Sequence, residues 1–369
     1  MIYLDNGATS FHKPEAVYRA VEKAMRTCAN PGRGGYGAAE KAARQVYKCR
    51  EAAGELFHCR PEQVVLTNNC THGLNIAIRS LVKPGGRVVV SGFEHNAVTR
   101  PLHALGAKIT VAGRKLFDWE DTLESVREAL KNGAEAAVFT HVSNVFGYIL
   151  PVEEMARLCR RYGVPFILDA AQSAGTLPVD LEGLGAEFIA MPGHKGLLGP
   201  QGTGLLLCRD GAEPLLQGGT GTASRLQEMP SELPERLEAG TVNVPGAAGL
   251  AAGLEYLNRT GIEKIYEREH RQLKRCVEGL RNLGHRVYAG DHQAATVSFL
   301  PGIDCEEAAY ILGKKGIAVR AGLHCAPYAH ESAKTLETGT VRVSFGHDAF
   351  DAQTDAFLRA ASKLPRFLQ

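Results

Sequence analysis

The chain has 369 residues, of which 44% are hydrophobic and 22% are charged, a composition typical of a soluble globular protein rather than a disordered or membrane-spanning one. Its formal net charge of +2, with no block of like charges, argues against nucleic-acid and anionic-membrane partners. Because the N-terminus lacks the basic start and apolar middle of a secretory signal, we expect a cytoplasmic protein.

The nine cysteines do not form a recognisable ligand pattern. None of them belongs to a C-x-x-C pair of the kind that zinc and iron–sulfur sites show, so we expect no metal site. In a reducing compartment most cysteines are small buried apolar residues, and we expect that here.

Alternating strands and helices occupy most of the chain. After a short arm, helices are expected over 13–29 and 38–58. Strands are then expected at 63–68, 87–92, 108–113, 136–143, 164–171, 187–191 and 202–208, with helices near 71–82, 96–105, 119–131 and 152–162. This alternation predicts an α/β fold in which helices sandwich a mainly parallel, seven-stranded sheet.

The pattern changes beyond residue 241. A long helical segment over about 245–283 precedes short strands at 295–300, 317–321 and 340–345, which indicates a smaller C-terminal α+β domain. We predict an N-terminal arm at 1–15 that joins this small domain, a large domain at 16–245, and a linking helix with the small domain at 246–369.

Three features suggest a cofactor site. Lys195 stands among glycines, which let a backbone approach a ligand closely, and Asp169 ends the apolar run "FILD", where a carboxylate needs a cation or several donors. A helix that begins near Thr71 offers free N–H groups to an anion. Pyridoxal phosphate requires an amine, a partner for its ring nitrogen and an anion site. Taken singly, Lys195 is also compatible with a solvated loop and Asp169 with a helix N-cap.

Motifs along nearly the whole chain resemble those of the class V branch of fold-type I pyridoxal-phosphate enzymes, and within it the cysteine desulfurases and selenocysteine lyases. They are "YLDNGATS", "THGLNIAI", "EHNAV", "HVSNVFG", "LDAAQSAG", "GHKGLLGPQGTG", "EAGTVNVPG", "RAGLHCAP" and "VRVSF". The resemblance implies the fold-type I architecture and pyridoxal 5'-phosphate as cofactor.

The resemblance also implies roles around the cofactor ring. Lys195 would bond to the aldehyde and move protons at the substrate α-carbon, and Asp169 would keep the ring nitrogen protonated. Gln172 would donate to the phenolic oxygen. His95 would stack on the ring, although a loop histidine that caps a helix is the alternative.

The phosphate ligands implied are Thr71, His72 and His194, which offer hydroxyl, imidazole and backbone donors. Thr241 resembles the residue that reaches the phosphate of the neighbouring subunit. The resemblance therefore implies a homodimer with shared active sites.

The substrate residues implied are Arg342, which would grip the α-carboxylate, Asn144, which would orient the same group, and Arg320. A strand arginine in a surface ion pair is the alternative for Arg342. Pro192 and the segment "GHDAFDAQ" after Arg342 depart from the family pattern, which leaves the amino-acid specificity open.

Cys325 matches the desulfurase nucleophile, which takes sulfur from the substrate as a persulfide and releases alanine. His324 and Arg320 are expected to lower its thiol pKa. The short loop resembles that of enzymes which hand sulfur to a protein acceptor. Two alternatives remain: a class V aminotransferase of small amino acids, and a non-catalytic partner in sulfur or selenium handling. A nucleotide-binding loop is less compatible with "GPQGTG".

Overall fold

The computed structural model of the protein describes residues 1–32 and 34–367. Arg33, in the predicted large domain, and Leu368 and Gln369, at the end of the predicted small domain, lie outside the described residues. Within these ranges, no helix combines the length and apolar character needed to cross a bilayer.

The strands are short and separated by helices. In chain order they are β1 (Ile2–Tyr3), β2 (Val64–Thr67), β3 (Arg87–Ser91), β4 (Lys108–Ala112), β5 (Ala136–Thr140), β6 (Phe166–Asp169), β7 (Phe188–Pro192), β8 (Gly204–Cys208), β9 (Arg286–Tyr288), β10 (Thr296–Leu300), β11 (Ile317–Ala318), β12 (Arg320–Gly322) and β13 (Thr340–Ser344).

The helices are α1 (Glu15–Thr27), α2 (Gly37–Phe57), α3 (Cys70–Leu81), α4 (Asn96–Ala104), α5 (Trp119–Lys131), α6 (Val152–Tyr162), α7 (Leu181–Leu184), α8 (Val244–Thr260), α9 (Ile262–Asn282), α10 (Cys305–Lys314), α11 (Pro327–Ala333) and α12 (Asp351–Ala361).

A seven-stranded sheet with the order β2-β8-β7-β6-β5-β3-β4 forms the centre of the larger part. Only β8 runs antiparallel to its neighbours within this sheet. The predicted fold class, a mainly parallel seven-stranded sheet between helices, is therefore confirmed.

The two faces of this sheet are both buried, which explains the nearly continuous apolar runs of its strands. Along β3, Val88 and Val90 belong to one core cluster while Val89 belongs to the other, because successive side chains of a strand point to opposite faces. All three valines are 2% exposed or less.

A four-stranded antiparallel sheet, β12-β13-β10-β9, forms the smaller part with its own core cluster. The arm contacts this part, since β1 pairs in parallel with β11 and Ser344 N donates to Leu4 O at 2.8 Å. The domain boundaries at 15 and 245 stay predictions.

Two predicted elements differ from the structure. The long helix is two helices, α8 and α9, which separate at Gly261, where φ is +83° and an α-helix cannot continue. The run 317–321 is not one strand, because β11 pairs with the arm whereas β12 pairs with β13. Periodicity predicts an extended run but not which sheet it joins.

A buried ion pair ties the loop before α8 to the large sheet. The Arg50 guanidinium lies 2.6 Å from Glu238, and their side chains are only 9% and 8% exposed. Glu238 also accepts from the backbone N–H of Leu66 in β2. The pair thereby fixes the segment that carries Thr241.

We expect Glu238→Ala to lower the free energy of unfolding by about 3–5 kcal/mol, because it leaves a buried guanidinium without its counter-charge. Urea titration followed by circular dichroism measures this. Glu232→Ala, at an exposed position of the same loop, should leave the unfolding free energy unchanged. An equal effect of both substitutions would contradict a specific role for the pair.

Candidate active site

A cavity opens at the carboxyl ends of the central parallel strands, where ligands bind in open α/β sheets. It brings together seven of the residues that the sequence predicts for the site: Thr71, His95, Asn144, Asp169, Gln172, His194 and Lys195. These residues come from separate segments of the chain, so only the folded sheet assembles them.

Asp169 ends β6 and is 2% exposed. One oxygen, Oδ1, accepts from the Ala171 backbone N–H at 2.9 Å and from the Cys70 thiol at 3.5 Å. Burial raises the pKa of Asp169, whereas the Ala171 bond and the charge of Lys195 oppose the rise. The other oxygen, Oδ2, has no hydrogen-bond partner within residues 1–32 and 34–367, so it is available to a cationic group in the cavity.

Lys195 follows β7 and lines the same cavity. Burial lowers the pKa of the Lys195 ammonium, and the charges of Arg342 and Arg320 lower it further. The nearby Cys70 and Asp169 act in the opposite direction. The amine is therefore more readily available as a nucleophile and base than an exposed lysine.

His95 caps a helix and also lines the cavity, while its stacking on a cofactor ring stays a prediction. It is the N-cap of α4, because its Nδ1 accepts from the Ala97 N–H at 3.0 Å, and its ring also lines the cavity. This bond places the imidazole proton on Nε2. Burial, together with the charges of Lys195 and Arg320, lowers the pKa of His95 to about 4, so the ring is neutral near pH 7.

The beginning of α3 presents free backbone N–H groups at the cavity wall. Asn69 caps the helix by accepting from the His72 N–H at 2.9 Å, while the N–H groups of Cys70 and Thr71 make no hydrogen bond within the described residues. Free N–H groups and the helix dipole favour an anion at this end. His194 lies on the same cavity wall.

His72 and Thr241 lie elsewhere. They line a second cavity, bounded also by Thr67 and Thr203, that does not include Lys195. Gln172 lines the Lys195 cavity, and its Nε2 donates to the Gly7 carbonyl at 2.9 Å. The roles of His72, Thr241 and Gln172 toward a cofactor stay predictions.

The three residues predicted to bind substrate come from the small sheet and from the loop after β5. Arg342, at the middle of β13, is 1% exposed; its Nη2 lies 2.6 Å from Asp5 and its Nη1 donates to the Asn144 carbonyl at 2.9 Å. Arg342 Nε and Asn144 Oδ1 are buried without partners in the described chain. Arg320 pairs with Arg342 across β12 and β13 and is exposed. Because Arg342 is buried, the alternative of a strand arginine in a surface ion pair does not apply.

The Cys325 loop lies against the cavity wall. Cys325 is the one exposed cysteine among the described residues. Its carbonyl accepts from the Asn96 N–H at 2.7 Å, and the His324 carbonyl accepts from Asn144 Nδ2 at 2.7 Å. His324 and Cys325 both have positive φ, +50° and +58°, a conformation that costs non-glycine residues about 1–2 kcal/mol each.

His324 does not supply the expected positive charge beside Cys325. It is 4% exposed, and burial, reinforced by the charge of Arg342, lowers its pKa to about 2. Its Nε2 lies 3.2 Å from the Thr340 carbonyl. His324 is therefore not a charged neighbour of the thiol, because adjacency in sequence does not reveal that the imidazole is buried and neutral. The effect expected of Arg320 stays a prediction.

Sequence reasoning missed three contributors to the site. Cys70 donates to Asp169, and Asp5 pairs with Arg342. Glu94 is fully buried, accepts from the Thr140 N–H at 2.9 Å and so ties β3 to β5; burial raises its pKa to about 8. Asp5 and Glu94 stand inside "YLDNGATS" and "EHNAV", so the motifs contained a signal for them.

We expect His324 to make the protein less stable as the pH falls. The unfolded imidazole takes up a proton below about pH 6.5 whereas the folded one does not, so the free energy of unfolding should fall by about 2 kcal/mol between pH 7 and pH 5 on its account. Urea titrations at both pH values should show a smaller loss for His324→Asn than for the wild type.

His58→Asn is the matched control, because His58 also has φ of +50° but its side chain is 69% exposed. It should lose as much stability as the wild type over the same pH interval. A loss in His324→Asn equal to that of the wild type would show that His324 is protonated in the folded protein.

Comparison with known proteins agrees with this geometry. The curated relatives include a protein of Pyrococcus abyssi named "Probable cysteine desulfurase", 34% identical over 100% of this chain and 95% of its own, and one of the same name in Methanothermobacter thermautotrophicus, 33% identical over 93% and 89%.

Solved structures give the same result. The apo cysteine desulfurase of Thermococcus onnurineus superposes with a TM-score of 0.90 at 33% identity, covering 98% of this chain and 94% of its own. A cysteine desulfurase of Escherichia coli does so with a TM-score of 0.85 at 25% identity, covering 97% and 93%. The family model described as "Aminotransferase class-V" matches residues 2–357. Since this match spans nearly the whole chain, the protein belongs to the class-V aminotransferase family.

Proposed function

We propose that the protein is a pyridoxal-phosphate-dependent cysteine desulfurase, which removes sulfur from L-cysteine, or selenium from selenocysteine, and releases L-alanine. The observation that carries the proposal is the position of Cys325. Two hydrogen bonds hold this exposed cysteine against the wall of the Lys195 cavity: the Asn96 N–H donates to the Cys325 carbonyl, and Asn144 Nδ2 donates to the His324 carbonyl. The names of the relatives support the same activity.

The residues of the cavity fit pyridoxal phosphate. Asp169 Oδ2 is free to accept from a protonated ring nitrogen, the Lys195 amine has a lowered pKa, and the unpaired N–H groups of Cys70 and Thr71 suit a phosphate. When bound, the cofactor supplies an aldehyde that bonds to amines and a ring that withdraws electrons from the substrate α-carbon.

The chain's own groups orient the substrate. The unpaired Arg342 Nε–H is a donor for an α-carboxylate, and the unpaired Asn144 Oδ1 is an acceptor nearby. Leaving the buried Arg342 Nε–H without an acceptor is unfavourable, so an amine that carries an α-carboxylate is preferred to one that does not. The carboxylate cannot satisfy Asn144 Oδ1, which accepts only from a donor. Lys195, with its lowered pKa, takes the proton from the α-carbon and later returns it.

Cys325 then acts on the substrate sulfur. Its thiolate sulfur forms an S–S bond while the carbon–sulfur bond of the substrate breaks, and the electron pair of that bond remains with the carbon, which a proton converts to the methyl group of alanine. The sulfur stays on Cys325 as a persulfide. Because the side chain is exposed, the persulfide is accessible to an acceptor.

We further propose that the acceptor is a protein thiol. Leu323, two residues before Cys325 in the same loop, is 39% exposed and offers an apolar contact to a protein that approaches the thiol.

We also propose that the protein forms a homodimer. Tyr18 and Met25 of α1 and Tyr47 of α2 expose large apolar side chains, between 49% and 71% of their surface. Thr241 lies away from the Lys195 cavity of its own chain. Both observations are compatible with a second copy that covers the exposed surface and receives Thr241 at its phosphate.

Cys325→Ala should retain the bound cofactor and the spectral response to L-cysteine but lose alanine formation by about a hundredfold or more, because no thiolate remains to accept the sulfur. Alanine and persulfide are measured after addition of L-cysteine. Cys28→Ala replaces another cysteine that is not fully buried and should behave as the wild type.

Full activity of Cys325→Ala toward L-cysteine would contradict the persulfide step. Stoichiometric keto-acid formation that does not depend on Cys325 would favour the aminotransferase alternative. Absence of both reactions in a protein that binds the cofactor would favour a non-catalytic role.

Borohydride treatment of the cofactor-loaded protein should fix one pyridoxyl group on the peptide that contains Lys195, since the buried amine forms the reducible bond to the aldehyde. Peptide mass spectrometry locates the label. Lys195→Ala should retain no label, whereas Lys13→Ala, which replaces a lysine whose Nζ lies 3.4 Å from the His194 carbonyl, should be labelled at Lys195. A label elsewhere would contradict the assignment.

A further inference from the structure

The arm before α1 places one acidic side chain against the buried cation of the site. Asp5 Oδ1 lies 2.6 Å from Arg342 Nη2, and within the described chain no other acidic side chain lies within 4.0 Å of this guanidinium. Arg342 Nη1 is held by the Asn144 carbonyl, whereas Nε has no partner. The terminal nitrogens are thus anchored, and the buried Nε is the guanidinium nitrogen without an acceptor.

Backbone contacts hold Asp5 in place. The Ser344 N–H donates to the Leu4 carbonyl at 2.8 Å, and the Gly7 N–H donates to Ser344 Oγ at 2.7 Å. A methyl group at Gly7 would come within 3.2 Å of the Arg342 guanidinium carbon. The backbone of the arm therefore lies directly on the guanidinium, which places Asp5 beside Arg342.

The local charges explain why the Asp5 carboxylate does not exclude the α-carboxylate of a substrate from Arg342. Arg320 faces Arg342 across β12 and β13, and no acidic side chain of the described residues lies within 4.0 Å of Arg320. The two neighbouring guanidinium groups therefore have only one carboxylate between them, the Asp5 partner of Arg342, which leaves a net positive charge for an incoming anion. A buried guanidinium without a counter-charge would instead be driven out of position.

We propose that Asp5 is a positioning residue that holds Arg342 in the orientation that receives the substrate α-carboxylate, an inference that rests on the proposed function. If Asp5 instead competed with the substrate for Arg342, replacing Asp5 would increase the affinity for the substrate. The fixed arm and the free Nε–H favour positioning.

The test compares two amines that differ only in the α-carboxylate, L-alanine and ethylamine. Each is titrated into the cofactor-loaded protein, and binding is followed by the absorbance change of the cofactor. In Asp5→Asn the half-saturating concentration of L-alanine should rise about tenfold or more, the equivalent of about 1.4 kcal/mol. The half-saturating concentration of ethylamine should not change. A general structural defect would instead affect the binding of both amines.

Two variants complete the test. Asp5→Glu keeps the charge and should raise the half-saturating concentration of L-alanine by less than Asp5→Asn does. If Asp5→Asn does not fold, the comparison of the two amines is made with Asp5→Glu. Asp348→Asn removes a carboxylate that holds the same arm through His12, at 2.8 Å, without contacting Arg342. It should change neither affinity.

An unchanged or lower half-saturating concentration of L-alanine in the folded Asp5 variants would overturn the inference, and so would an equal rise for both amines. In those cases the proposed function stands, because the wild type still binds L-alanine. A wild-type protein that loads the cofactor but does not respond to L-alanine would overturn the proposed function and this inference with it.

Discussion

Concentrated positive charge in a poorly solvated cavity is the constraint on which the site depends. Lys195 lies close enough to Arg320 and Arg342 for these charges to lower its pKa, in addition to the effect of burial. Asp169 compensates in part, and His95 stays neutral because the same charges and burial lower its pKa to about 4. A cavity of this kind favours anions, and both a phosphate and an α-carboxylate are negatively charged.

The N-terminal arm connects the two halves of this site. Its carboxylate pairs with Arg342 in the small sheet, while the Gly7 carbonyl accepts from Gln172 after β6. Thr9 Oγ1 lies 3.0 Å from Nδ1 of His194, the residue before Lys195. Contacts to both sheets within a few residues explain why this short segment has a distinctive sequence although it contains only a two-residue strand.

Local patterns predicted the elements well where packing followed periodicity. The β-branched runs of the large sheet became strands because both faces are covered, and the polar residues that follow them converge at one edge. The same reasoning failed at Gly261 and in residues 317–321, where a positive φ and the choice of partner strand decided the outcome. For His324, burial reversed the role expected from its position beside Cys325.

The sequence by itself determined the fold class through its alternating apolar runs. It also predicted the lysine and aspartate of the proposed cofactor site and the cysteine of the proposed reaction, because each lies in a motif with its own local chemistry. Only the tertiary structure decided which charged groups form ion pairs. Asp5 pairs with Arg342 although the two residues are 337 positions apart, and the Asp5 side chain is only 20% exposed. The physical reason is that pKa values and ion pairs depend on solvent exclusion and distance, which arise when sheets and arm pack together.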